Sequence, residues 1–364
     1  MIILHIAPIN MTSTNGLRFS VPGLTSSQNI VNGVQSGLMT TRGLEVLKSD
    51  EVATFDFDFM TYNKNIASLE EPYNNPDIVV FHGVYFKQYL SIYKILTERG
   101  IPYVIVPRVS LTYGAQKQNY IKKKLGNFFF FNKFIKKASG IHYLTENEKI
   151  MSTRFKTNSF VVGNGMKLPA ITDKAKIETL NISFIGRYDI NHKGLDILVN
   201  AIMLIKNEMI REKIKIRLYG SDYREGKKYI MNIIEKYDLH EVLEINDPIF
   251  GKVKESALLE TDIFIAPSRF EGHPMAVIEA MAYGIPCILT EGTNMLDKLT
   301  EFDAGWATEL DEKDIAKTIL ISTSNRDTIL NKGLNARRLA EENYTWDNIA
   351  EKTILEYRGI LLNF

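Results

Sequence analysis

The sequence has a single cysteine, Cys287, and lacks several features that would place it in a specialised class. One cysteine cannot form an internal disulfide, and no cluster of cysteine and histidine has the spacing of a zinc site. No apolar run approaches the length of a membrane span, and the net charge of +1 gives no general attraction to nucleic acid. The apolar residues 1–8 lack the basic segment and cleavage site of a signal peptide, so they predict a first strand. We therefore expect a soluble, cytoplasmic protein.

Strand-like and helix-like segments alternate along the 364 residues, which is the pattern of parallel sheets covered by helices. The length, with 45% hydrophobic and 24% charged residues, suits two domains of ordinary size. The strand pattern restarts after a polar segment at 167–179, which we interpret as a linker. Strands are predicted at 2–7, 77–82, 102–107, 140–145 and 159–162, then at 181–186, 215–220, 242–246, 262–267 and 286–290. We predict an α/β fold of two Rossmann-like, doubly wound domains at 1–168 and 169–345, followed by a helix at 346–364.

The most informative stretch runs from Pro267 to Gly284, directly after a predicted buried strand. Pro274 is placed to begin a helix and Gly284 to end it. The helix is apolar or small nearly all round, which predicts burial, and Glu279 is its one charge. Glu271 lies in the loop at the helix start. A helix N-terminus attracts phosphate and carboxylates accept hydrogen bonds from sugar hydroxyls, so the stretch suits a sugar linked to a nucleotide through a diphosphate. The alternative is a solvated Glu279 and an incidental Glu271.

This stretch resembles the retaining glycosyltransferases of the GT-B type, family 4 (glycosyl transferases group 1), which include bacterial polysaccharide and O-antigen enzymes. Their signature is two glutamates separated by seven residues in a strand–loop–helix, and Glu271 and Glu279 stand in those places. The resemblance implies two domains that face each other across a cleft at the carboxyl ends of their strands. It also implies that the last helix, 346–364, crosses back to the first domain. A helix that caps the second domain is the alternative.

Two cations stand where the family has Gly-Arg at a strand end and Lys-Gly at a helix start. Arg187 can grip two oxygens at once and Lys193 acts as a point charge, so both suit a diphosphate. They would also stabilise the charge that builds on the leaving nucleoside diphosphate. The resemblance therefore assigns catalysis to Arg187, Lys193 and Glu271. A pair of solvated surface cations is the alternative.

The resemblance implies that several loops build the donor site. Glu279 is expected to accept hydrogen bonds from the ribose and Glu271 from the transferred sugar, while the loop at Pro248 and Ile249 holds the base. His273 either faces the sugar or packs against its own loop. The expected donor-binding residues are Gly16, Arg187, Lys193, Pro248, Ile249, Glu271, Gly272, His273, Pro274, Met275, Ala276, Val277 and Glu279. No metal or other cofactor is expected, and the donor substrate is a nucleoside-diphosphate sugar with UDP as the expected nucleotide.

Three features of the first domain stand where the family has donor or acceptor contacts. Asn15-Gly16 replaces a glycine pair, and Pro22-Gly23 predicts a longer loop than usual. His82 ends a predicted strand, where an acceptor contact and a structural histidine are both open. Arg108 and Val109 replace the family's histidine and glycine. The loss of the family's histidine puts any histidine-assisted step at this position in doubt. Arg108 instead offers a cation for a phosphate of the donor or acceptor. His82 and Arg108 are thus the expected acceptor-side residues.

Residues 117–137 interleave lysines with phenylalanines and a tyrosine. Such a surface could rest on the anionic inner face of a membrane, as a peripheral contact that would suit a lipid-linked acceptor. The favoured alternative is a pair of helices with core phenylalanines and solvated lysines, because residues 128–131 cover every helical face. Stacking on single-stranded nucleic acid is a distant third, and no nucleic-acid partner is expected.

Together with the resemblance, these residues predict an enzyme that moves a hexose-type sugar from a nucleoside diphosphate to a hydroxyl of a glycan or lipid-linked glycan, with retention. Front-face attack, in which the leaving phosphate takes the acceptor proton, is preferred because no nucleophile is clearly placed for a covalent intermediate. Analogy alone connects such an enzyme with O-antigen or capsule assembly. The alternatives are a nucleotide-sugar epimerase that uses His82 and His273, and a non-catalytic glycan-binding partner subunit.

Overall fold

The computed structural model describes residues 1–9, 17–41, 55–117, 124–153, 155–170 and 179–364. The chain divides into two compact units: unit 1 is Met1–Gly165 together with Trp346–Phe364, and unit 2 is Met166–Thr345. Each unit is built on one parallel sheet with helices, which confirms the predicted pair of Rossmann-like α/β domains. The predicted linker, 167–179, lies partly outside the described residues.

Unit 1 contains seven described strands, all in parallel pairs. They are β1 (Ile2–Ala7), β2 (Gln35–Thr40), β3 (Asp58–Met60), β4 (Ile78–His82), β5 (Tyr103–Val106), β6 (Gly140–Tyr143) and β7 (Ser159–Val161). Their order in the sheet is β3-β2-β1-β4-β5-β6-β7, so the direction of winding switches between β1 and β4. Its helical segments are Leu17–Gln28, Ile66–Ser68, Lys87–Arg99, Tyr113–Lys117, Asn127–Phe131, Asn132–Lys136, Glu146–Ile150 and Trp346–Asn363.

The last helix of the chain, Trp346–Asn363, packs within unit 1 against the helix Leu17–Gln28. The ring of Trp346 lies so close to Gly23 that an added Cβ would come within 2.1 Å of it, so this position requires glycine. The longer loop predicted at Pro22-Gly23 is wrong. Both residues lie inside the buried helix Leu17–Gln28, where packing against the last helix overrides the local preference of proline for a helix start.

Unit 2 contains six described strands, again all parallel. They are β8 (Leu180–Ile185), β9 (Ile214–Tyr219), β10 (Leu243–Asn246), β11 (Ile263–Ala266), β12 (Cys287–Leu289) and β13 (Gly305–Ala307). Their order is β10-β9-β8-β11-β12-β13, so the winding switches between β8 and β11. Its helical segments are Leu195–Leu204, Lys206–Arg211, Gly226–Tyr237, Gly251–Leu259, Met275–Ala282, Glu291–Thr293, Leu296–Glu301, Glu312–Thr323 and Arg326–Asn343.

Helices cover both faces of the unit 2 sheet, and its central strand β11 is apolar and buried at every position. Strand β9 instead alternates buried apolar residues with partly exposed ones, among them Lys215 and Arg217. Along β11, Ile263 and Ile265 join one buried cluster, whereas Phe264 and Ala266 join another. Successive side chains of a strand point to opposite faces, so the two clusters are the two sides of the sheet. The sheet is therefore rigid, and its loops project from a fixed edge.

All ten predicted strands are present, with ends that differ by at most two residues. The structure adds β2, β3 and β13, which the hydrophobic pattern does not predict. In β2, a Cβ on Gly37 would lie 2.6 Å from the ring of Tyr73, so the strand keeps a small residue where a β-branched one would be expected. The helices Leu195–Leu204 and Lys206–Arg211 meet at Ile205, which ends the first and precedes the second.

Candidate active site

The switch point of unit 2 lies between the neighbouring strands β8 and β11. In open parallel sheets, ligands bind outside the carboxyl ends of the strands at such a point. The loop after β8 carries Arg187 and Lys193, and the loop after β11 carries Glu271. The three residues predicted to be catalytic therefore follow adjacent strands at one edge of one sheet.

Lys193 and Glu271 are in direct contact: the Lys193 ammonium donates to Oε1 of Glu271. The same oxygen accepts a hydrogen bond of 3.0 Å from Ser268 Oγ. The two side chains are only 18% and 12% exposed, so the charges are screened less by water than a surface pair would be. The structure thus brings together one predicted cation and one predicted sugar-binding carboxylate.

Gly194 allows the two loops to approach each other. Its φ of +66° lies in the left-handed region, and a Cβ there would lie 1.9 Å from the carbonyl oxygen of Pro267. No residue with a side chain fits without a backbone shift. The backbone of the loop after β11 therefore rests directly on Gly194, beside Lys193.

Arg269 ties the same two loops together through its side chain and its backbone. The guanidinium donates to both carboxylate oxygens of Asp196 at 2.7 Å each, and to Asn191 O at 2.8 Å. The Arg269 N–H donates to His192 O at 3.0 Å. A bidentate pair fixes orientation as well as distance. The sequence patterns did not single out Arg269 or Asp196, because neither belongs to the glutamate motif.

A third loop, after β12, holds the backbone of Glu271. The Glu271 N–H donates to Gly292 O at 2.7 Å, and the Asn294 side chain donates to Glu271 O. Thr290 Oγ1 donates to Ser268 O at 2.7 Å. The main chain at Glu271 is thus hydrogen-bonded on both its N–H and its carbonyl, so the side chain projects from a fixed point.

Arg187 lies near Lys193 along the chain and is partly exposed. Its guanidinium stacks over the ring of Tyr223 with 4.9 Å between Cζ and the ring centroid. No ion pair joins it to a carboxylate among the residues that the structure describes. An aromatic face orients a guanidinium while leaving its N–H groups at the edge available. Tyr223 was not predicted, because it follows a different strand, β9.

Glu279 is paired with Lys254, a residue that the sequence patterns did not identify. The Lys254 ammonium contacts Oε2 of Glu279, and the two side chains are 23% and 19% exposed. Lys254 lies on the helix Gly251–Leu259 and Glu279 on the helix Met275–Ala282. The expectation that this second helix is buried all round is wrong. Its face with Met275, Ala276 and Glu279 is partly exposed, because the sheet covers only the other side.

The start of the helix Met275–Ala282 offers two backbone donors. The N–H groups of Val277 and Ile278 donate to Pro274 O at 3.1 and 3.2 Å. Those of Met275 and Ala276 have no hydrogen bond among the described residues, as is usual in the first turn of a helix. Of the predicted backbone contacts, Met275 and Ala276 are therefore available to an anion, whereas the N–H of Val277 is already used.

His273 is 8% exposed, and its ring packs edge-on against Tyr344 at a centroid distance of 5.2 Å. This contact packs His273 against a residue of unit 2 that lies outside its own loop. Gly272 and Pro274 continue the loop on either side of it, with Gly272 partly exposed and Pro274 buried.

His192, which the sequence patterns did not single out, lies directly before Lys193 and packs edge-on against Phe270 at 5.9 Å. Burial lowers the pKa of His192, and the nearby carboxylate of Glu271 opposes that shift in part. A lowered pKa favours the neutral imidazole at neutral pH. The positive charge at this edge of the sheet therefore belongs to Lys193 and Arg187.

Pro248 and Ile249 lie in the short connection between β10 and the helix Gly251–Leu259, as predicted from the sequence. Pro248 is exposed and Ile249 is partly exposed. The Tyr188 hydroxyl donates to Asn246 O, which ties the start of this connection to the loop after β8. The connection thus belongs to the same edge of the sheet as Arg187 and Lys193.

The acceptor-side residues predicted in unit 1 lie in different surroundings. His82 is fully buried and contacts the ring of His5, so it cannot itself touch an acceptor in this conformation. Arg108 is partly exposed and lies 3.4 Å from His82, measured from Nη2 to Nδ1. Gly16, which was expected among the donor-binding residues, lies outside the described residues. Of the acceptor-side pair, Arg108 is the one accessible from outside the unit.

The stretch at 117–137 is described except for residues 118–123. Phe129 and Phe130 are 64% and 57% exposed, whereas Phe131 and Phe134 are buried. The interpretation that its phenylalanines are core residues is therefore wrong for the first pair, because the π-helical turn Asn127–Phe131 directs them outward. None of the helices within the described ranges is long and apolar enough to cross a bilayer. The described residues also contain no group of three or more metal-ligating side chains.

Comparison with known families connects unit 2 with glycosyl transfer. Residues 179–325 match the family described as Glycosyl transferases group 1. An uncharacterized glycosyltransferase of Haemophilus influenzae is 27% identical over 226 residues, which is 60% of either chain. The putative colanic acid biosynthesis glycosyltransferase WcaL of Escherichia coli is 29% identical over 164 residues, 43% of this chain and 38% of that one. The chain thus covers less than two thirds of the length of these relatives.

A shorter match and two solved structures add to this likeness. An Escherichia coli UDP-Gal:alpha-D-GlcNAc-diphosphoundecaprenol alpha-1,3-galactosyltransferase is 40% identical over 76 residues, 20% of this chain and 19% of that one. A glycosyltransferase from Rickettsia africae has a TM-score of 0.75 at 15% identity, covering 100% of this chain and 99% of the other. HepE from Anabaena, solved in complex with UDP, has a TM-score of 0.73 at 13% identity, covering 99% and 100%. The chain therefore has the fold of GT-B glycosyltransferases.

Proposed function

We propose that the chain is a retaining glycosyltransferase, which moves a hexose-type sugar from a nucleoside diphosphate to an acceptor hydroxyl. The observation that carries the proposal is the contact between Lys193 and Glu271 at the switch point of unit 2. It sets a cation for phosphate beside a carboxylate for sugar hydroxyls, inside the segment that matches the glycosyltransferase family.

The donor diphosphate is proposed to bind Arg187, Lys193 and the free N–H groups of Met275 and Ala276. These groups supply positive charge from two side chains and one helix start, so the proposal needs no divalent metal. Glu279 accepts hydrogen bonds from the ribose. UDP is the proposed nucleotide, supported by the complex of HepE with UDP and by the UDP-Gal donor of the Escherichia coli relative.

Retention is proposed to follow from attack on the same face of the sugar that the phosphate leaves. The bond between the sugar and the diphosphate oxygen breaks, the acceptor oxygen forms the new bond, and its proton passes to the departing phosphate. Lys193 and Arg187 stabilise the charge on that phosphate. Glu271 is not assigned the role of nucleophile in this scheme; its Oε1 accepts hydrogen bonds from Lys193 and Ser268, and the carboxylate is proposed to bind hydroxyls of the transferred sugar.

The acceptor is proposed to be a glycan or lipid-linked glycan in the assembly of a surface polysaccharide such as capsule or O-antigen. The support comes from two relatives, of which one is a putative colanic acid biosynthesis glycosyltransferase and the other is named for a diphosphoundecaprenol-linked sugar acceptor. The exposed rings of Phe129 and Phe130, flanked by lysines, are consistent with peripheral contact with a membrane that carries such an acceptor.

The test is release of nucleoside diphosphate from a panel of nucleotide sugars, followed by NMR of the product linkage. We expect one donor to be hydrolysed slowly without acceptor and a retained anomeric configuration in the product. Lys193→Ala should lower turnover more than it weakens UDP affinity, whereas Glu279→Ala should mainly weaken UDP affinity. Unchanged kinetics in both variants, or an inverted product, would overturn the proposal.

The same assay separates the two rival functions. An epimerase would release free, 2-epimerised sugar, and a non-catalytic partner subunit would release nothing. The epimerase would need His82 and His273 beside the sugar. His82 is fully buried in unit 1 and His273 packs against Tyr344, so the structure does not favour that function.

A further inference from the structure

A chain of hydrogen-bonded side chains runs through unit 1 and ends at Arg108. Gln28 Nε2 donates to Thr353 Oγ1 at 3.1 Å, and Gln28 Oε1 lies 2.8 Å from His5 Nε2. His5 Nδ1 lies 2.9 Å from His82 Nε2, and His82 Nδ1 lies 3.4 Å from Arg108 Nη2. Apart from Arg108, every member is fully buried. The orientation of the guanidinium is therefore connected to the packing of the last helix.

The groups that accept hydrogen bonds in this series of side chains determine which ring nitrogen of each histidine carries the proton. The Thr353 hydroxyl donates to Ile349 O at 2.9 Å, so it must accept from Gln28, which assigns that amide atom as the nitrogen. Gln28 Oε1 is then the acceptor that faces His5, so His5 must carry its proton on Nε2. His5 Nδ1 is then an acceptor, and His82 must carry its proton on Nε2. This leaves the lone pair of His82 Nδ1 facing Arg108. Burial lowers the pKa of His5 to about 4 and holds the pKa of His82 well below its usual range, so both rings are neutral.

A second set of hydrogen bonds, accepted by Glu148, fixes the backbone next to Arg108. Arg108 and Val109 have φ of +50° and +62°, in the left-handed region that β-branched residues avoid. The buried carboxylate of Glu148 accepts a hydrogen bond of 2.5 Å from the Val109 N–H and one of 2.8 Å from the Leu144 N–H. The strained turn is thus tied to the neighbouring strand ends. Such strain persists where the surrounding structure over-determines it, and it concentrates at functional sites.

No ion pair joins Arg108 to a carboxylate among the residues that the structure describes, although the nearby charge of Glu148 partly opposes the effect of burial on the pKa of Arg108. Its hydrogen-bond partner is a neutral imidazole, and Glu148 bonds to backbone N–H groups instead. Arg108 Nε is buried without a hydrogen-bond partner. The adjoining cavity, about 10 Å³, has room for no more than a water, so an anion must approach the exposed side of the guanidinium. Burial lowers the pKa of Arg108 to about 10, which still leaves it a cation at neutral pH.

We propose that Arg108 binds a phosphoryl group carried by the acceptor, and that His82 and Glu148 are positioning residues that hold the guanidinium for it. The inference rests on the proposed function, and it names an anionic, phosphate-bearing class of acceptor. Arg108 follows β5 and His82 ends β4, which are neighbouring strands of unit 1, so the site lies at the carboxyl edge of that sheet. A guanidinium matches phosphate oxygens in pairs, whereas a neutral glycan offers no charge to bind. His82 therefore acts through Arg108 and does not touch the acceptor.

The test uses the full chain with UDP at saturation, so that the nucleotide's own phosphate contacts are filled. Binding of inorganic phosphate and of a sugar 1-phosphate is followed by calorimetry. We expect Arg108→Gln to weaken both by about tenfold or more, Arg108→Lys to be intermediate, and UDP affinity to stay within about twofold. Arg99→Gln, on the surface of the same unit, is the matched control and should change nothing.

A second set of variants covers the case in which Arg108→Gln fails to fold. Glu148→Gln removes one carboxylate acceptor, so it should weaken phosphate binding when it is introduced into the wild type. In a chain that already carries Arg108→Lys, adding Glu148→Gln should cause no further loss of phosphate binding. Equal phosphate binding by Arg108→Gln and the wild type would overturn the site. If Arg108→Gln weakened the binding of UDP and of phosphate alike, Arg108 would belong to the donor site, and the proposed acceptor-phosphate site would again be overturned. If the chain bound no UDP but still bound phosphate in a way that depends on Arg108, the phosphate site would stand and the proposed donor function would be overturned.

Discussion

Arg269 and Asp196 are joined by two parallel hydrogen bonds of 2.7 Å, from both terminal nitrogens of the guanidinium to both carboxylate oxygens. Asp196 lies in the first turn of the helix Leu195–Leu204, and Arg269 lies in the loop after β11. The pair therefore connects the segment that carries Lys193 to the segment that carries Glu271. Its planar geometry sets the angle between the two segments as well as their distance.

Arg269→Lys should impair turnover more than stability. A lysine keeps the charge but cannot make two parallel bonds, so Glu271 and Lys193 lose their fixed spacing. Because the side chains are 31% and 27% exposed, we expect a loss of only about 1 kcal/mol in the free energy of unfolding. Turnover should fall by about tenfold or more, since small displacements of reacting groups are costly. Arg211→Lys, on the surface of unit 2, is the control, and a stability loss without a kinetic effect would contradict this role.

Gly194→Ala should be far more damaging than Gly100→Ala, although both glycines have nearly the same φ, +66° and +65°. The left-handed conformation alone costs alanine about 1–2 kcal/mol. At Gly100 nothing lies within 4 Å of an added Cβ, whereas at Gly194 the Pro267 carbonyl oxygen lies 1.9 Å away. We expect a further loss of about 1–3 kcal/mol at Gly194 and loss of transfer activity. Urea denaturation of both variants measures the difference, and equal losses would show that the close approach is not rigid.

The parts of the site that could be predicted are those fixed by local sequence. Glu271 and Lys193 each follow a buried strand closely, so a parallel sheet must place them at its carboxyl edge. The adjacency of β8 and β11, which makes them partners, depends on the order of the strands in the sheet and is seen only in the structure. The apolar strands themselves are predictable because both of their faces are buried.

The parts that could not be predicted depend on contacts between segments far apart in sequence. Lys254 contacts Glu279 across two helices, and Asn294 reaches Glu271 from the loop after β12. Neither residue type is distinctive at its own position. His82 carries a polar side chain at a strand end, yet it is buried because His5 on the adjacent strand offers it a partner. Pairing of this kind becomes visible only when the register of the strands is known.

The stability of unit 1 should fall as the pH drops below about 6.5. Burial lowers the pKa of both His5 and His142 to about 4 in the folded protein, so the unfolded chain binds more protons between these values. The stabilisation is complete above the unfolded pKa and is lost progressively down to about pH 4. By pH 5 each histidine should account for a loss of about 2 kcal/mol.

Urea unfolding between pH 7 and pH 4.5 measures this dependence, with Trp346 fluorescence as the probe of unit 1. The other tryptophan, Trp306, lies in unit 2 and can be replaced by phenylalanine. His142→Gln keeps a donor for Val162 O, which His142 Nε2 contacts at 2.8 Å. This variant should therefore take up about one proton fewer on unfolding, which reduces the slope of the free energy of unfolding against pH without abolishing folding. A slope that is unchanged in this variant would show that His142 does not titrate in the window.

Lys254→Met should weaken nucleotide binding because Lys254 orients Glu279. The ammonium contacts Oε2, so the other carboxylate oxygen would accept the hydrogen bond that we propose from a ribose hydroxyl. Methionine keeps the unbranched apolar stem and removes the charge, so the carboxylate becomes free to rotate. We expect UDP affinity to fall by about three- to tenfold in calorimetric titrations. The affinity ratio of UDP to its 2′-deoxy analogue should also shrink, since the contact with the ribose is the one that is lost.

Lys252→Met provides the matched control, because Lys252 is exposed on the same helix and loses the same charge. If long-range attraction to the diphosphate were the cause, both variants would weaken UDP alike and the ribose preference would not change. Tighter binding in Lys254→Met would mean that the ion pair competes with the ribose. If the preference for UDP over its deoxy analogue falls in Lys254→Met alone, the result supports the proposed orienting role. It would exclude both long-range attraction and competition with the ribose, because only the orienting role requires Glu279 to be held by one oxygen while the other oxygen binds.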